Sequence, residues 1–492
     1  MPLSAFSSQP ITRAGAVRAF GAASAAAILA PGVVGAADIE IVPIIGCPTD
    51  RSAVLHVHVG RESEVRVDLP GATSGTPQLG APAIARPGYP ASIMIDGLEA
   101  GTRTPYQVWF RNDATGSDFI PGPSGSIQSA RQSGESFTFT VQGDSHPERQ
   151  GKQFDPDLYR RTLLTVGADR PDFHVMLGDD FSVDALKVVN ASTVAGRYAV
   201  QVPYLGLIAH SVPLVLVNGN HEQAARYLLD GTPDNVAVWA QVARNRAFPQ
   251  PVPDHFYTGN SEVVPHVGLL RNYAAWTWGD ALFVTLDPYW GSTVPVDNVF
   301  QGSTKRADQW DITLGEDQYR WFRDTLEGSQ ARWKFVFAHH VNGTGRGGAS
   351  ICGRYEWGGR SARGAWEFDQ KRPGWGRTIH QVMAASGVTA FFQGHDHLYA
   401  REEVDGVIYQ TVPEPADPTA TLWNDDAYPG AVIHPNSGYL RVHVTLDRVR
   451  VEYVKSFLAP HESPPAREHG MVAHAYDLAL RAAPSPAAAR DG

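Results

Sequence analysis

Cysteine is scarce in this chain: Cys47 and Cys352 are the only two in 492 residues. That count excludes a thiolate-built metal site. One bridge between them or two separate buried thiols both remain open, since pairing depends on geometry. Basic runs are also missing. With 41 Lys plus Arg against 51 Asp plus Glu, the formal charge is -10, which excludes a protein dedicated to gripping nucleic acid. A small anionic substrate stays open, because a bound metal reverses the local field. No long apolar run follows the N-terminal region, so stable membrane insertion is not expected. Charge is sparse at 19%, while 43% of residues are apolar and the chain holds 48 Gly, 36 Pro and 12 Trp, a composition that excludes a disordered protein. At about 150 residues per domain, the length allows two to four folded units.

What is present begins with Arg13 and Arg18 ahead of a weakly apolar run over 19–30, followed by Val34, Gly35, Ala36 and Ala37. This pattern predicts a signal peptide over 1–37, cleaved near Ala36 or Ala37, and hence a secreted or periplasmic protein. There is no adjacent Arg pair to specify the export route. Residues 38–133 show a period of two, with Val54, His56 and His58 alternating around Leu55 and Val57, and predict a small all-β sandwich. His56 and His58 would share one sheet face, read as the solvated face of an edge strand in preference to a chelating pair. Residues 112–135 are rich in Gly, Ser and Pro and read as a linker. From 134 to 456 apolar strands alternate with helical segments, the rhythm of a layered α/β domain. Strands are predicted at 137–141, 173–177, 214–217, 282–286, 333–337, 388–392, 407–411, 439–444 and 449–454. Helices are predicted at 158–166, opened by Asp155-Pro156 and stopped at Gly167, and at 316–326. The Ala- and Pro-rich stretch 457–492 reads as a partly disordered tail.

The chemistry lies where the strands end. Five of them run into Gly143-Asp144-Ser145-His146, Gly178-Asp179-Asp180, Gly219-Asn220-His221-Glu222, His339-His340 and Gly394-His395-Asp396-His397. In open α/β sheets ligands bind beyond the carboxyl ends of the strands, so these side chains are expected to meet in one crevice. Carboxylate and amide oxygens mixed with imidazole nitrogens suit Fe, Mn, Zn or Co.

In this order the five motifs resemble the calcineurin-like metallophosphoesterase superfamily, over 144–397. The resemblance implies a four-layer α/β/β/α sandwich and two metal ions. It places Asp144, His146 and His397 on one ion, Asn220, His339 and His395 on the other, and Asp179 between them. It further implies hydrolysis of a small phosphate ester by a metal-bridging hydroxide, with His221 contacting the phosphate and protonating the departing oxygen. Asn220, His221, His340 and Arg346 are the residues expected at the substrate. Glu222 is read as a support for its turn. Asp396 is a candidate to orient a ligand histidine, and Asp180, Ser182 and Asp184 compete to polarise His221.

A sandwich ahead of such a domain is similar to purple acid phosphatases and PhoD-like phosphodiesterases. The segment 97–110, with Gly101-Thr102 and Tyr106, resembles the end of a fibronectin type III domain. The purple enzymes carry a tyrosine three residues after the bridging aspartate and Asp-x-Gly as first motif; here those places hold Ser182 and His146, which implies a colourless centre. The segment 341–376, with ten glycines, Arg346, Arg360, Arg363, Trp357, Trp366 and Trp375, is read as a cleft wall or as a self-packed excursion. Residues 221–280, with Trp239, His255 and Tyr257, are a second candidate wall. A phosphomonoester is the expected substrate, with a diester as the alternative. A non-catalytic binding or adhesion protein on the same scaffold is the reading from another class, and the filled ligand positions weigh against it. The oligomeric state is left open.

Overall fold

The computed structural model describes residues 41–70, 81–112, 118–296, 308–341 and 345–480. The predicted signal peptide lies outside them. Two antiparallel sheets come first. Ile41–Gly46, Ser52–Val59 and Ala91–Asp96 form one, and Ala83–Ala85, Ser63–Asp68, Arg103–Arg111 and Ile120–Gln128 form the other. Alternate residues such as Leu55, Val57, Val65, Val67 and Val108 fill the layer between them.

Two sequence expectations fail here. The stretch read as a linker contains Ile120–Gln128, which pairs along Arg103–Arg111 through a register irregularity. His56 and His58 lie on no edge, since Ser52–Val59 is the central strand of its sheet, and their shared face is covered. They are 6% and 7% exposed, and both rings reach the Ala247 carbonyl, His58 Nε2 at 2.8 Å. The face they share is a seam against the second part of the molecule. The same seam carries Tyr106, whose hydroxyl donates to the His210 carbonyl at 2.9 Å, and Tyr257, whose hydroxyl donates to the Pro48 carbonyl at 2.6 Å.

Two mixed sheets then stack face to face. The first orders Leu214–Leu216, Phe173–Met176, Phe137–Gln142, Gly438–Val444, Arg448–Lys455 and Val472–Ala479; its first three strands are parallel. The second has eight strands, and Ala281–Thr285, Trp333–Phe337, Ala390–Gln393 and Val407–Thr411 run parallel at its centre. These strands look uniformly apolar because both faces are covered, yet they alternate between two layers. Phe139, Phe173, Phe283, Phe335, Phe337 and Phe392 point into the space between the sheets, while Leu282, Val284, Val336 and Phe391 point the other way. Phe139 contacts Phe283, Phe335, Phe337 and Phe392 edge-on at centroid separations of 5.2 to 6.2 Å, a geometry that adds to simple area burial.

Helices cover both outer faces. Pro156–Asp169, Ala191–Ala199, Val202–Ala209 and Val236–Ala247 pack on the first sheet, and Glu316–Gly328 and Ile379–Ala385 on the second. The result is the expected α/β/β/α sandwich behind a small β region. Asp155 caps the first of these helices, accepting from the backbone N–H groups of Asp157 and Leu158. That helix runs through Gly167, which lies against Ile208 where a side chain would crowd the neighbouring helix. The stretch read as a partly disordered tail holds Val472–Ala479, which closes the edge of the first sheet by pairing along Arg448–Lys455. Both cysteines are free, Cys352 buried and Cys47 half-buried.

Candidate metal centre

The seven candidate ligands all leave the carboxyl ends of strands at one edge of the stacked sheets. Asp144 and His146 follow Phe137–Gln142, Asp179 follows Phe173–Met176 and Asn220 follows Leu214–Leu216, all in the first sheet. His339 follows Trp333–Phe337, and His395 and His397 follow Ala390–Gln393, in the second. The turns that aim them are strained. Asp144, His146, Asp179, His395 and His397 all have φ between 44° and 68°, a region costing about 1–2 kcal/mol for a residue with a Cβ. Two glycines leave room for the approach. A Cβ on Gly178, whose φ is 95°, would lie 2.4 Å from the Gly219 nitrogen, and one on Gly394 would lie 2.4 Å from Asp144 Oδ2.

The side chains meet in one small volume. Asp144 Oδ1 lies 3.4 Å from His397 Nε2 and 3.9 Å from both His146 Nε2 and His339 Nε2. Asp179 Oδ2 lies 3.0 Å from His339 Nε2 and 3.9 Å from His146 Nε2, so it stands between the two groups of ligands. All seven residues are buried. Yet Asp144 Oδ1, His146 Nε2 and both side-chain polar atoms of Asn220 make no hydrogen bond among the described residues. A buried polar atom left so costs about 1–3 kcal/mol, and several converging on one point fit a cation between them. Oxygen and imidazole donors without sulfur suit the transition metals expected from sequence.

Charge tells the same story. Burial alone would raise the Asp144 and Asp179 carboxyls, but the facing histidines hold both below the usual carboxylate range. In turn the carboxylates overcome burial and push His339 and His397 up to about 10. Such a cluster draws in positive charge, and an arriving metal displaces the protons.

The Nδ1 atoms face outward and fix which nitrogen points in. His339 Nδ1 donates to the Leu177 carbonyl at 2.8 Å, which leaves the Nε2 lone pair for the centre. His397 Nδ1 lies 2.6 Å from Glu414 Oε1, and Glu414 Oε2 accepts from Asn436 Nδ2 at 2.8 Å. His146 Nδ1 lies 2.9 Å from Glu148 Oε1, which also accepts from Ser182 Oγ at 2.7 Å. Glu222 supports its turn, accepting from the backbone N–H groups of Asp179, Asp180, Phe181 and Gly219.

A family model described as calcineurin-like phosphoesterase matches residues 137–399, a span that takes in all seven ligand positions. The chain belongs to the calcineurin-like phosphoesterase family. Two solved structures share its fold. PhoD superposes with a TM-score of 0.60 at 12% identity, covering 89% of this chain and 90% of its own. A purple acid phosphatase isolated from yellow lupin (Lupinus luteus) seeds gives 0.59 at 15% identity, with 90% and 75% coverage. No curated protein matches. The chain is accordingly a phosphoesterase, a hydrolase of phosphate ester bonds.

In this phosphoesterase His221 stands beside the ligands. Its Nε2 is 3.7 Å from Asp179 Oδ2, and its Nδ1 donates to Asp184 at 2.8 Å. Asp184 is therefore the polarising carboxylate. Asp180 instead accepts from Ser145 Oγ at 2.6 Å, and burial raises its pKa well above the ordinary value. Burial would lower the His221 imidazole, but Asp179 and Asp184 outweigh it and raise it. Asp396 does not orient a histidine. It accepts from Arg346, the Gly347 N–H and the Tyr428 hydroxyl, and so ties down the turn between two ligands. Arg346 also donates to the His395 carbonyl at 2.7 Å and sits at the rim, 40% exposed. His340 is buried, stacked on His395 at 4.1 Å with its Nδ1 2.7 Å from the Tyr289 hydroxyl.

Most of 345–376 is the self-packed alternative. Trp357 and Trp375 are buried, Trp375 stacked on Tyr319 at 3.7 Å and Trp357 donating to the Tyr409 hydroxyl, and Arg372 pairs with Glu356. Three residues in contact with the centre, Glu148, Arg149 and Glu414, and one behind it, Asp287, were not anticipated. Asp287 accepts from Asn218 and Asn272. Asp287 and Glu414 lie just beyond the carboxyl ends of Ala281–Thr285 and Val407–Thr411, so extending the strand-end rule to those two strands would have found both. Arg149 and Glu148 carry no motif beyond closeness to His146.

Proposed function

We propose that this phosphoesterase is an exported enzyme that holds two metal ions and hydrolyses phosphomonoesters, behind a fibronectin type III-like sandwich. The convergence of Asp144, His146, Asp179, His339, His395 and His397, with unsatisfied buried atoms on Asp144, His146 and the neighbouring Asn220, supports the reading most strongly. Asp144, His146 and His397 would hold one ion, Asn220, His339 and His395 the other, and Asp179 both. Fe, Mn, Zn and Co all suit these donors. The motif order, the glycines that let two carboxylates approach, the outward hydrogen bond of His339 and the Glu414 carboxylate beside His397 support the same assignment.

When bound, the ions would polarise the phosphoryl oxygens and render a water acidic enough to attack near neutral pH. The chain's own part is to orient and to move a proton. Asp184 holds the His221 ring so that Nε2 faces the cleft. As the new water-derived P–O bond forms and the ester P–O bond breaks, Nε2–H passes its proton to the leaving oxygen, and solvent restores it. Ester and water thus give alcohol and phosphate with no covalent enzyme intermediate.

Export is supported by the pattern over 1–37, and no helix among the described residues is long and apolar enough to cross a membrane. The three- and four-stranded sheets support the sandwich reading. The test is metal analysis together with phosphate release from paired mono- and diesters. We expect two metals per chain and faster release from monoesters, with Asp179→Ala losing most of the metal. Full occupancy in that variant would remove Asp179 from its bridging place. Preference for diesters would move the enzyme to the phosphodiesterase class, and failure to cleave any ester would leave the fold without the chemistry.

A further inference from the structure

A cleft of about 310 Å³ opens beside the metal centre, lined by Glu148, Arg149, Lys152, Asp184 and His221 among others. Its acidic members are already engaged, Glu148 with His146 and Asp184 with His221. Its cations are not engaged to the same degree. The Lys152 ammonium forms no ion pair among the described residues, and Arg149 is held by the Gln153 amide oxygen at 2.7 Å with Glu148 at 3.5 Å. The decisive contact is a third one. Arg149 Nη2 donates at 3.3 Å to His221 Nε2 of the unprotonated ring, the nitrogen that would face the leaving oxygen, and protonation of the ring releases the guanidinium into the cleft.

A group attached to that oxygen therefore lies beside Arg149, in a cleft whose exposed rim carries Lys152. We propose that this cleft is the subsite for the ester's alcohol portion and that Arg149 and Lys152 select alcohols bearing a second negative charge, such as a carboxylate close to the phosphate. The inference rests on the phosphoesterase reading of the centre. Two cations lining one cleft reward an anionic substituent over a neutral one of equal shape, and a charge-assisted hydrogen bond from the partly buried Arg149 contributes about tenfold in affinity. The size of the cleft favours a short substituent over a polymer.

The test compares phosphoglycolate with its neutral amide, two esters of the same shape, on the metal-loaded protein. Phosphate release gives kcat/KM for each, and calorimetry gives binding to each. The native protein should favour the acid over the amide about tenfold in both measurements, and Arg149→Gln combined with Lys152→Gln should bring both ratios close to one. A native ratio near one, or a ratio the double variant leaves within twofold, overturns the subsite. Cleavage of other esters with no such discrimination refutes the subsite alone. Charge-selective binding without release from any ester keeps the subsite and refutes the hydrolytic reading.

Discussion

Glu414→Gln isolates a single buried contact behind a ligand. In the native chain one carboxylate oxygen faces His397 Nδ1 at 2.6 Å and the other accepts from Asn436 Nδ2 at 2.8 Å. Glutamine has one acceptor and one donor end. If its oxygen faces His397, its amide N–H groups confront those of Asn436; if it turns, it confronts the imidazole Nδ1–H. One of the two bonds is lost in either orientation, at about 1 kcal/mol, and the charge that raises the basicity of His397 disappears. Losing the hydrogen-bonded partner of a metal-ligating histidine costs about 10–100-fold in affinity, or about 1.4–2.7 kcal/mol. The assay is competition for one metal against a chelator of known strength, with the melting temperature of the metal-free protein measured alongside. We expect the metal affinity to fall by that factor while the metal-free protein stays folded. Affinities unchanged within twofold would refute the claim that Glu414 tunes the centre through His397.

Three further outcomes rest on other contacts. His221→Ala should keep its metals and lose about 100-fold in kcat on an alkyl phosphate, with a much smaller loss on a nitrophenyl phosphate whose leaving group needs no proton; equal losses on both would remove the acid role. Gly394→Ala should weaken metal binding and lower the melting temperature, since its methyl would lie 2.4 Å from Asp144 Oδ2, and a metal content equal to that of the native protein would show that the turn relaxes. Burial holds His56 and His58 neutral and pushes both down to about 4 from an ordinary 6.5, so the unfolded chain binds the extra protons. The stabilisation is complete above 6.5 and is lost as pH falls toward 4, by up to about 3 kcal/mol per histidine. Denaturant midpoints across this range should fall less steeply for His56→Gln combined with His58→Gln, and an unchanged slope would place the titration elsewhere.

The meeting of these strand-end side chains was legible because each follows a strand whose hydrophobic pattern is unambiguous, so chain order and the strand-end rule suffice to bring them to one edge. What was hidden depends on partners far away in sequence. Asp184 and Asp180 look alike in the chain, and only the fold of the 178–184 loop turns one toward His221 and the other toward Ser145. Ile120–Gln128 contains Pro121, Gly122, Pro123 and Gly125, which read as coil; the strand survives because its neighbour supplies the pairing, and Gly125 sits where a side chain would strike the His210 carbonyl. Val472–Ala479 mixes Ala with polar residues and is no more than half-buried, so its sequence carries no strong period. His56 and His58 alternate as a solvated edge would, and no local signal reports that Ala247 covers them.

The layer of phenylalanine rings has a consequence for the ions. Four of the candidate ligands are fixed to one sheet and three to the other, so the opening between these two jaws is gauged by the rings stacked behind them as well as by the loops that carry the candidates. Phe139, wedged edge-on against four rings of the opposite sheet, works as the spacer in a caliper. A change of ring size there would reset the spacing between the two groups of candidate ligands, from a position inside the aromatic layer.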